Sequence, residues 1–466
     1  MTLHRVGEQQ QNGGGAQPIR VGEVYPATAV RLNDDGEGVV LLQGLVTFVP
    51  GLLPGEGATV RVVSVARHFA RAERVSAVEE ATEESVRTQP ECAVFEQCGG
   101  CRLQHIHYGA QLRHKREVVR AALQRIGSLP ELSVADTLGM DFPWRYRNQV
   151  QVPLSYDEET KTLLAGFFAA HSHRLIATQT CALEPLGMET TVAAVTRMLP
   201  DLLGREVRFV HHVVVRESYT NERQMVILCL RETLGHRQQQ ALRKLSTLPQ
   251  VVGVAVTIQP RSHGPVWGKT VEMLTGESFL TEDMDDLEML ISPRSFFQTN
   301  TLQARMLYRY VRQQAQIVPG QRVLDAYCGI GSIGLYLAAQ GAYVVGMESN
   351  PAAVVDARRN AAHNGLSNTE FVTGQVEREL PRRVVSGERF DLTVLDPPRD
   401  GCRKEVLQAV ADADSNRVIY VSCNPATLAR DLVQLVHTGY RVETVQPVDM
   451  FPQTAHVECV VSLMRK

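Results

Sequence analysis

The spacing of hydrophobic residues divides the chain into segments of different character. In residues 18–78, short valine-rich runs recur about every ten residues between turn clusters such as NDDGEG and GLLPGEGA, which predicts a small all-β, OB-like barrel. Residues 1–17 are rich in glutamine and glycine and have no apolar core, so we expect a disordered tail. Residues 79–91 are charged and contain Pro90, as is typical of a linker.

The rest of the chain predicts two further domains. Residues 92–292 contain strand-like runs such as QMVILCL and VVGVAVTI among helical stretches, which predicts a mixed α+β domain. In residues 293–466, the short apolar strands RVLDAY, YVVGME, EFVTG, DLTVLD and RVIYVS are each followed by a helical stretch. Regular alternation of this kind is typical of a doubly wound parallel sheet, so the predicted fold class is α/β.

Composition narrows the class of protein. Hydrophobic residues make up 44% of the chain and charged residues 21%, and no apolar run approaches the ~18 residues of a membrane span. Nine cysteines without a signal peptide favour a reducing compartment, so we expect a cytoplasmic protein without membrane contact. The net charge of −3 excludes a uniformly basic surface, but residues 101–125 carry six cations and one anion. That stretch fits either a solvated helix face or a nucleic-acid contact.

A glycine-rich turn follows the first strand of the C-terminal segment. Gly329, Gly331 and Gly334 in LDAYCGIGSIG spell G-x-G-x-x-G, which allows a close approach of the backbone to a ligand. Asp325 would repel a pyrophosphate but suits a cationic ligand, and the Lys-Ser/Thr pair of an ATP loop is missing. Glu348 closes the second strand, where a carboxylate can accept both ribose hydroxyls. We favour S-adenosylmethionine, with a dinucleotide or a purely structural turn as alternatives.

Three reactive side chains are expected at one edge of this sheet. Asp396 follows the fourth strand in DPPRDG, and Cys423 follows the fifth in VSCNPATLARD. Pro425 suits the first turn of a helix, whose positive N-terminus would lower the pKa of the Cys423 thiol. If the last strand runs antiparallel beside the fifth, Glu458 reaches the same edge, where apolar walls would raise its pKa. The alternatives are a helix N-cap for Asp396, a packing cysteine and a solvated glutamate.

These side chains match the chemistry of uracil methylation. Carbon 5 of uracil is too electron-poor to attack a methyl sulfonium, but addition of a thiolate at carbon 6 makes it nucleophilic. Cys423 would supply the thiolate, Glu458 the base, and Asp396 a hydrogen bond to the uracil edge. An aromatic residue of SFFQTN would stack on the base, and the glutamine of that motif would read its edge.

Four cysteines upstream have the spacing of metal ligands. Cys92, Cys98 and Cys101 form C-x5-C-x2-C, and Cys181 is a distant fourth. Three close thiols and one remote thiol can hold an iron–sulfur cluster or an all-thiolate zinc ion. The first spacing is loose for a zinc ribbon, so a cluster is favoured, with zinc and unligated thiols as alternatives.

The ordered set of motifs resembles the bacterial RNA uracil-5-methyltransferases, specifically the 23S rRNA branch, over nearly the whole chain. The set consists of a TRAM-like barrel, the four cysteines, PWRYRNQ, SFFQTN, LDAYCGIG, LDPPRDG, VSCNPATLARD and HVE. The resemblance implies a TRAM RNA-binding barrel over 18–78, an iron–sulfur and RNA-binding domain over 92–292, and a class I S-adenosylmethionine-dependent methyltransferase domain over 293–466. It implies methylation of a specific uridine in 23S rRNA, unstacked into the pocket, without an obligate protein partner.

The resemblance also implies roles for individual residues. Cys423 would be the nucleophile and Glu458 the proton acceptor, while Phe296 would stack on the target base. Arg147 and Asn148 of PWRYRNQ would contact RNA. The implied ligands of a 4Fe–4S cluster are Cys92, Cys98, Cys101 and Cys181, and the implied S-adenosylmethionine contacts are Gln298, Tyr327, Ser332, Glu348, Gln375 and Asp396. At Ser332 and Gln375 some relatives have asparagine, which also forms hydrogen bonds.

Three other functions stay open. Methylation of a tRNA uridine is the nearest, because some barrel-bearing relatives modify tRNA. RNA cytosine-5 methylation needs a cysteine directly after the proline of the fourth-strand motif, but Pro398 is followed by Arg399, and Cys402 comes too late. A non-catalytic RNA-binding or cluster-bearing assembly factor would tolerate the loss of Cys423.

Overall fold

The computed structural model describes residues 19–79, 85–170, 172–261 and 264–466. The expected tail, residues 1–17, lies outside the described residues, as does part of the expected linker. The chain divides into two compact units, of which the first ends at Arg87 and the second begins at Thr88. None of the helices in the described ranges has the length and apolar character needed to cross a membrane.

The first unit contains a six-stranded sheet. Its strands are β1 (Val24–Thr28), β2 (Arg31–Leu32), β3 (Gly38–Leu42), β4 (Leu45–Val49), β5 (Gly57–Val65) and β6 (Ala70–Arg74). They lie in the order β1-β5-β6-β4-β3-β2, and only β4 and β6 pair in parallel. Gln43 and Gly44, with φ of 47° and 85°, form the two-residue turn between β3 and β4, because this turn geometry matches the twist of paired strands. The predicted all-β domain is confirmed.

The second unit contains a seven-stranded central sheet with helices packed against it. Its strands lie in the order β13-β12-β11-β10-β7-β8-β9, and β14 and β15 form a separate hairpin. The strands are β7 (Gln149–Asp157), β8 (Thr162–Phe168), β9 (Leu175–Ala177), β10 (Val210–Glu217), β11 (Gln224–Leu230), β12 (Val251–Ile258), β13 (Val271–Gly276), β14 (Leu280–Met284) and β15 (Leu287–Ile291). The helices of this part are α1 (Tyr108–Arg125), α2 (Leu186–Leu203) and α3 (His236–Leu242). Apolar side chains of α2, such as Met188 and Leu199, fill the core against this sheet.

The C-terminal part alternates strands with helices and forms a second seven-stranded sheet. Its elements are α4 (Thr301–Ala315), β16 (Arg322–Ala326), α5 (Ser332–Ala338), β17 (Tyr343–Glu348), α6 (Pro351–His363), β18 (Thr369–Thr373), α7 (Val376–Val385), β19 (Leu392–Leu395), α8 (Lys404–Asp412), β20 (Arg417–Ser422), α9 (Pro425–His437), β21 (Tyr440–Val448) and β22 (Glu458–Arg465). The order is β18-β17-β16-β19-β20-β22-β21, in which the first five strands are parallel. Strand β22 is antiparallel to both of its neighbours. The predicted doubly wound sheet, with its reversed final strand beside the fifth, is confirmed.

Helix α1 packs on the C-terminal sheet, although the sequence places it in the 92–292 segment. Val118, Val119 and Leu123 share one hydrophobic cluster with Leu428 and Leu432 of α9. Burial of these side chains along one face of α1 stabilises the helix there. The segment that follows the cysteine triplet is therefore part of the layer that supports the C-terminal sheet.

The cations of α1 are largely used within the protein. Lys115 is fully buried and forms an ion pair with Asp449. Arg120 forms an ion pair with Glu117 one turn away at 2.7 Å. Neither interpretation of this stretch, a solvated helix face or a nucleic-acid contact, fits Lys115, because its ammonium group does not reach the surface.

Candidate active site

One cavity of about 740 Å³ lies at the carboxyl ends of β16, β17, β19 and β20. Open α/β sheets bind their ligands at this edge, where the connecting loops diverge. The cavity is lined by nine residues that the sequence predicts as catalytic, base-stacking or cosubstrate-binding: Phe296, Gln298, Tyr327, Ser332, Glu348, Gln375, Asp396, Cys423 and Glu458. The four predicted metal ligands, Arg147 and Asn148 are not among its lining residues.

The glycine-rich turn between β16 and α5 forms one wall of the cavity. Gly331 adopts φ 84° and is the N-cap of α5, and a Cβ at this position would lie 3.1 Å from the Phe371 ring. Asp325 is buried, and its Oδ2 accepts a hydrogen bond from the Gly334 amide at 2.8 Å. Burial, together with the nearby Asp396, raises the pKa of the Asp325 carboxyl to about 7. This acid therefore orders the loop and also contributes a negative wall once it is ionised.

Glu348 ends β17 beside this turn. Its Oε2 accepts a hydrogen bond from the Gly329 amide at 3.2 Å, and its Oε1 accepts one from the Asn350 amide at 2.7 Å. The Ser349 hydroxyl also donates to Oε1 at 3.1 Å, so these donors fix the carboxylate, and free acceptor capacity remains on Oε2. The geometry suits the recognition of two adjacent hydroxyl groups.

Asp396 directly follows β19, comes immediately before the paired prolines, and lines the cavity. Burial raises the pKa of its carboxyl to about 7. The nearest helix along the chain, α8, begins at Lys404 with Arg403 at its N-cap. The alternative interpretation of Asp396 as a helix N-cap is therefore wrong.

Cys423 lies between the end of β20 and the N-cap of α9. Asn424 caps α9 by accepting a hydrogen bond from the Ala426 amide at 3.0 Å, and its side chain donates to the Arg399 carbonyl at 3.0 Å. Burial and the carboxyl of Glu458 raise the pKa of the Cys423 thiol, whereas Arg399 opposes that rise. The expectation that the helix N-terminus lowers this pKa is thus wrong, because desolvation and neighbouring acids outweigh it.

Glu458 reaches the same cavity through the reversed final strand. Ser422 of β20 pairs with Cys459 of β22, so the residues next to them, Cys423 and Glu458, emerge at one edge. Glu458 is 5% exposed, which rules out the solvated interpretation. Burial and Asp396 raise the pKa of its carboxyl to about 8, while Arg399 acts against the rise. A carboxyl with this pKa can both accept and return a proton near neutral pH.

The SFFQTN segment carries one exposed and one buried aromatic ring. Phe296 is 71% exposed at the cavity, whereas Phe297 is 4% exposed and packs in the core. Asn148 is buried and donates to the Gln298 carbonyl at 2.8 Å and to Thr301 Oγ1 at 2.9 Å. The predicted RNA contact of Asn148 is therefore corrected to a positioning role, since its amide is used to hold Gln298.

The four upstream cysteines converge from separate segments. Cys92, Cys98 and Cys101 act electrostatically on one another, and Cys101 also acts on Cys181. Across the ranges that the structure describes, no three or more histidine, cysteine, aspartate or glutamate side chains form a group that could hold a metal ion. Burial raises the pKa of the Cys101 thiol to about 11. As placed, the thiols lie near one another but do not have the geometry of a ligand set.

Arg147 lies among these cysteines, away from the cavity. Its guanidinium group acts electrostatically on Cys101 and Cys181, and its Nε is buried. Its backbone amide donates to the Leu183 carbonyl at 3.0 Å. Arg147 as a whole is half-buried, so its predicted contact with RNA stays a prediction.

Arg399 is a candidate functional residue that the sequence reasoning missed. It is exposed at the cavity mouth, and its charge acts on both Cys423 and Glu458. A cation beside a nucleophilic thiol favours the thiolate. Its position directly after the Asp-Pro-Pro turn was the signal that could have identified it.

The fold and the cavity define a class I S-adenosylmethionine-dependent methyltransferase. The sequence of residues 107–466 matches the family described as tRNA (Uracil-5-)-methyltransferase, and residues 18–75 match the TRAM domain. The chain belongs to this family of RNA uracil-5-methyltransferases, which confirms the family identified from the motifs.

Relatives and a solved structure agree with this assignment. An uncharacterized RNA methyltransferase of Halalkalibacterium halodurans is 38% identical over 96% of this chain and 98% of that protein. One from Bacillus cereus is 37% identical over the same shares. The tRNA (uracil-54, C5)-methyltransferase of Pyrococcus abyssi, solved with S-adenosyl-L-homocysteine, is 27% identical with a TM-score of 0.73, covering 94% of this chain and 99% of that one.

Proposed function

We propose that this protein methylates carbon 5 of a specific uridine in 23S rRNA through a covalent bond between Cys423 and the uracil. The observation that carries the proposal is the pairing of Ser422 with Cys459 in adjacent antiparallel strands. This pairing supports roles for Cys423 as nucleophile and Glu458 as base, because both side chains line one cavity. Cys402 does not line that cavity, which argues against the cytosine-5 alternative.

The proposed reaction has three steps. The Cys423 thiolate bonds to carbon 6 of the uracil, and the electron pair of the 5,6 double bond moves toward carbon 5 and oxygen 4. Carbon 5 then takes the methyl group from the sulfonium, and neutral S-adenosylhomocysteine is left. Glu458 accepts the proton of carbon 5, and the freed electron pair re-forms the double bond and expels the Cys423 thiolate. Arg399 stabilises that thiolate on both occasions.

The acidic wall of the cavity supports the assignment of the cosubstrate. Asp325, Glu348 and Asp396 surround the glycine-rich side, where a sulfonium cation is favoured over a pyrophosphate. We assign the cosubstrate contacts to Gln298, Tyr327, Ser332, Glu348, Gln375 and Asp396. The exposed ring of Phe296 at the mouth would stack on the unstacked target base.

Binding of the cosubstrate is expected to strengthen with pH. The pKa of Asp396 is raised to about 7, so its carboxyl is mainly protonated at pH 6 and mainly ionised at pH 8. The dissociation constant of S-adenosylmethionine should therefore fall about tenfold between these pH values, since only the ionised acid attracts the sulfonium. Calorimetric titration of the protein with S-adenosylmethionine and with S-adenosylhomocysteine at both pH values checks this result.

S-adenosylhomocysteine, which lacks the sulfonium charge, is the matched control for that titration. Its affinity should change much less over the same range, and Asp396→Asn should reduce the response to S-adenosylmethionine, with Asp325, whose pKa is also raised to about 7, supplying the remainder. Equal pH dependence for the two compounds would show that Asp396 does not face the sulfonium.

A tRNA uridine is the second candidate substrate. It is favoured by the tRNA (uracil-54, C5)-methyltransferase of Pyrococcus abyssi, whose structure aligns with 94% of this chain. The barrel and the cysteine quartet together support the rRNA assignment, because they match the 23S rRNA branch in the sequence analysis. Incubation of the protein with S-adenosylmethionine and unmodified 23S rRNA or tRNA transcripts, followed by mapping of 5-methyluridine, distinguishes the two.

We also propose that Cys92, Cys98, Cys101 and Cys181 bind a 4Fe–4S cluster. Their convergence and the half-buried cation of Arg147 support this, because a thiolate-ligated cluster carries negative charge. Since the thiols as placed do not form a metal-holding group, binding requires the cysteine segments to close around the cluster.

Anaerobic purification should yield a protein with visible charge-transfer absorption and about four iron and four sulfide ions per chain. Cys181→Ala should lose both ions, whereas Cys229→Ala, a buried cysteine in the central sheet, should keep them. A colourless protein with stoichiometric zinc would reverse the assignment.

A further inference from the structure

The segment between β21 and β22 carries groups of the cavity at both of its ends. Phe451 lines the cavity near its start, and Glu458 lines it where β22 begins. Glu458 pairs with Val448, the last residue of β21, so it occupies the terminal rung of the β21–β22 ladder. Terminal rungs open more readily than the middle of a sheet. The position of Glu458 therefore depends on what holds residues 449–457.

Lys115 of α1 holds the start of this segment. Its ammonium group is completely buried, forms an ion pair with the Asp449 carboxylate, and donates to the Phe451 carbonyl at 3.0 Å. Tyr108, also on α1, donates to the second oxygen of Asp449 at 2.9 Å. A buried ion pair is weak evidence for added stability, because desolvation offsets the attraction, but it fixes the partners in one arrangement.

Gln111 of the same helix holds the middle of the segment. Its Nε2 donates to Gln453 Oε1 at 2.9 Å, and its Oε1 accepts from the Gln453 amide at 3.2 Å. The Gln453 carbonyl accepts from the amides of Arg102 and Leu103, both at 3.0 Å. Gln453 has φ 69°, a left-handed conformation that a non-glycine residue adopts only when its surroundings enforce it.

Helix α4 holds the opposite side of the segment. Gln303 donates to the Asp449 carbonyl at 2.9 Å, and Asn300 donates to the Met450 carbonyl at 3.1 Å. The segment is thus held from two sides. Helix α4 follows the SFFQTN segment of the cavity, and α1 follows the cysteine triplet.

We propose that Lys115 and Gln111 are positioning residues for proton removal, because they hold residues 449–453, the first part of the segment that leads to Glu458 in the terminal rung. This inference rests on the proposed function. Neither residue lines the cavity, so each acts through the segment and not on the uracil. Loss of the contacts of either residue displaces Glu458, while Cys423, directly after β20, keeps its place.

The inference predicts a defect confined to one step. Attack by Cys423 and transfer of the methyl group precede the need for a base, and a 5-fluorouridine substrate has no carbon 5 proton to remove. Gln111→Met should therefore form the protein–RNA adduct with 5-fluorouridine RNA at the wild-type rate. Its release of tritium from RNA labelled at carbon 5 of uridine should fall about 10- to 100-fold.

A charge-neutral double variant tests the ion pair without leaving a buried charge unpaired. Lys115→Met with Asp449→Asn removes both charges and the bond to the Phe451 carbonyl, and it should show the same pattern as Gln111→Met. Gln124→Met, the same substitution at a half-buried position of α1, is the matched control and should behave as wild type.

The step-specific readout separates positioning from folding. With ordinary uridine RNA, both test variants should accumulate the covalent adduct, and both should bind S-adenosylmethionine as wild type does. Parallel loss of adduct formation and tritium release, or no loss of either, would overturn the inference. If the wild-type protein itself forms no adduct with 5-fluorouridine RNA, the proposed function fails first, and the inference falls with it.

Discussion

Replacement of Cys423 by alanine should abolish methylation, with turnover falling by at least about 10³-fold. Without the sulfur, no bond forms at carbon 6 and carbon 5 stays too electron-poor to take the methyl group. The affinity for S-adenosylmethionine should change little, because Cys423 lies at the carboxyl end of β20 while the glycine-rich turn follows β16. Transfer of labelled methyl groups to RNA, measured beside calorimetric binding, separates these two effects.

The matched control is another cysteine of the same region. Cys402 is 5% exposed and follows the Asp-Pro-Pro turn, but it does not line the cavity. Cys402→Ala should retain both methylation and the adduct with 5-fluorouridine RNA. An active Cys423→Ala variant, or an adduct lost only in Cys402→Ala, would exclude the proposed nucleophile.

Replacement of Glu458 by glutamine should stop the reaction after methyl transfer. Each protein molecule should transfer about one methyl group and then stay bound to its RNA, because the carbon 5 proton has no acceptor. Steady-state turnover should fall about 10²- to 10⁴-fold, the range in which general bases act. Quench-flow measurement of methyl transfer, followed by denaturing electrophoresis of the RNA-bound protein, would detect the trapped adduct.

Glu377→Gln supplies a comparison within the same cavity. Glu377 accepts a hydrogen bond from the Tyr327 hydroxyl at 3.1 Å on the cosubstrate side. Its loss should weaken the binding of S-adenosylmethionine without trapping RNA. A trapped complex in Glu377→Gln, together with rapid turnover in Glu458→Gln, would show that Glu377 and not Glu458 is the base.

Much of the candidate active site could be predicted from the sequence, because the ligand-binding residues of an open α/β sheet lie where its strands end. Asp396 and Cys423 directly follow apolar strands, so a local pattern was enough to bring them together. Glu458 needed one further assumption, the reversal of the final strand, which the pairing of Ser422 with Cys459 confirms.

Other features depend on contacts that no local pattern reveals. Lys115 and Asp449 lie 334 residues apart in the sequence. A lysine on a polar helix is expected to be exposed to solvent, but this lysine is fully buried. Asn148 was expected at the RNA surface, but its amide holds Gln298, 150 residues away. The raised pKa of the Cys423 thiol likewise depends on how much water the surrounding chain removes, which the charge of one helix end does not determine.

The burial of Glu458 away from solvent has a consequence for the energetics of the proposed reaction. Over the whole reaction, the sulfonium cation becomes a neutral thioether and the Glu458 carboxylate becomes a neutral carboxylic acid, while the Cys423 thiolate is regenerated and the other acids of the cavity are unchanged. The cost of keeping ions away from water, visible in the pKa of about 8 for this acid, is thereby relieved as products form. A substitution that admits water to the cavity would weaken this driving force for product formation, even if the position of every reacting atom were unchanged.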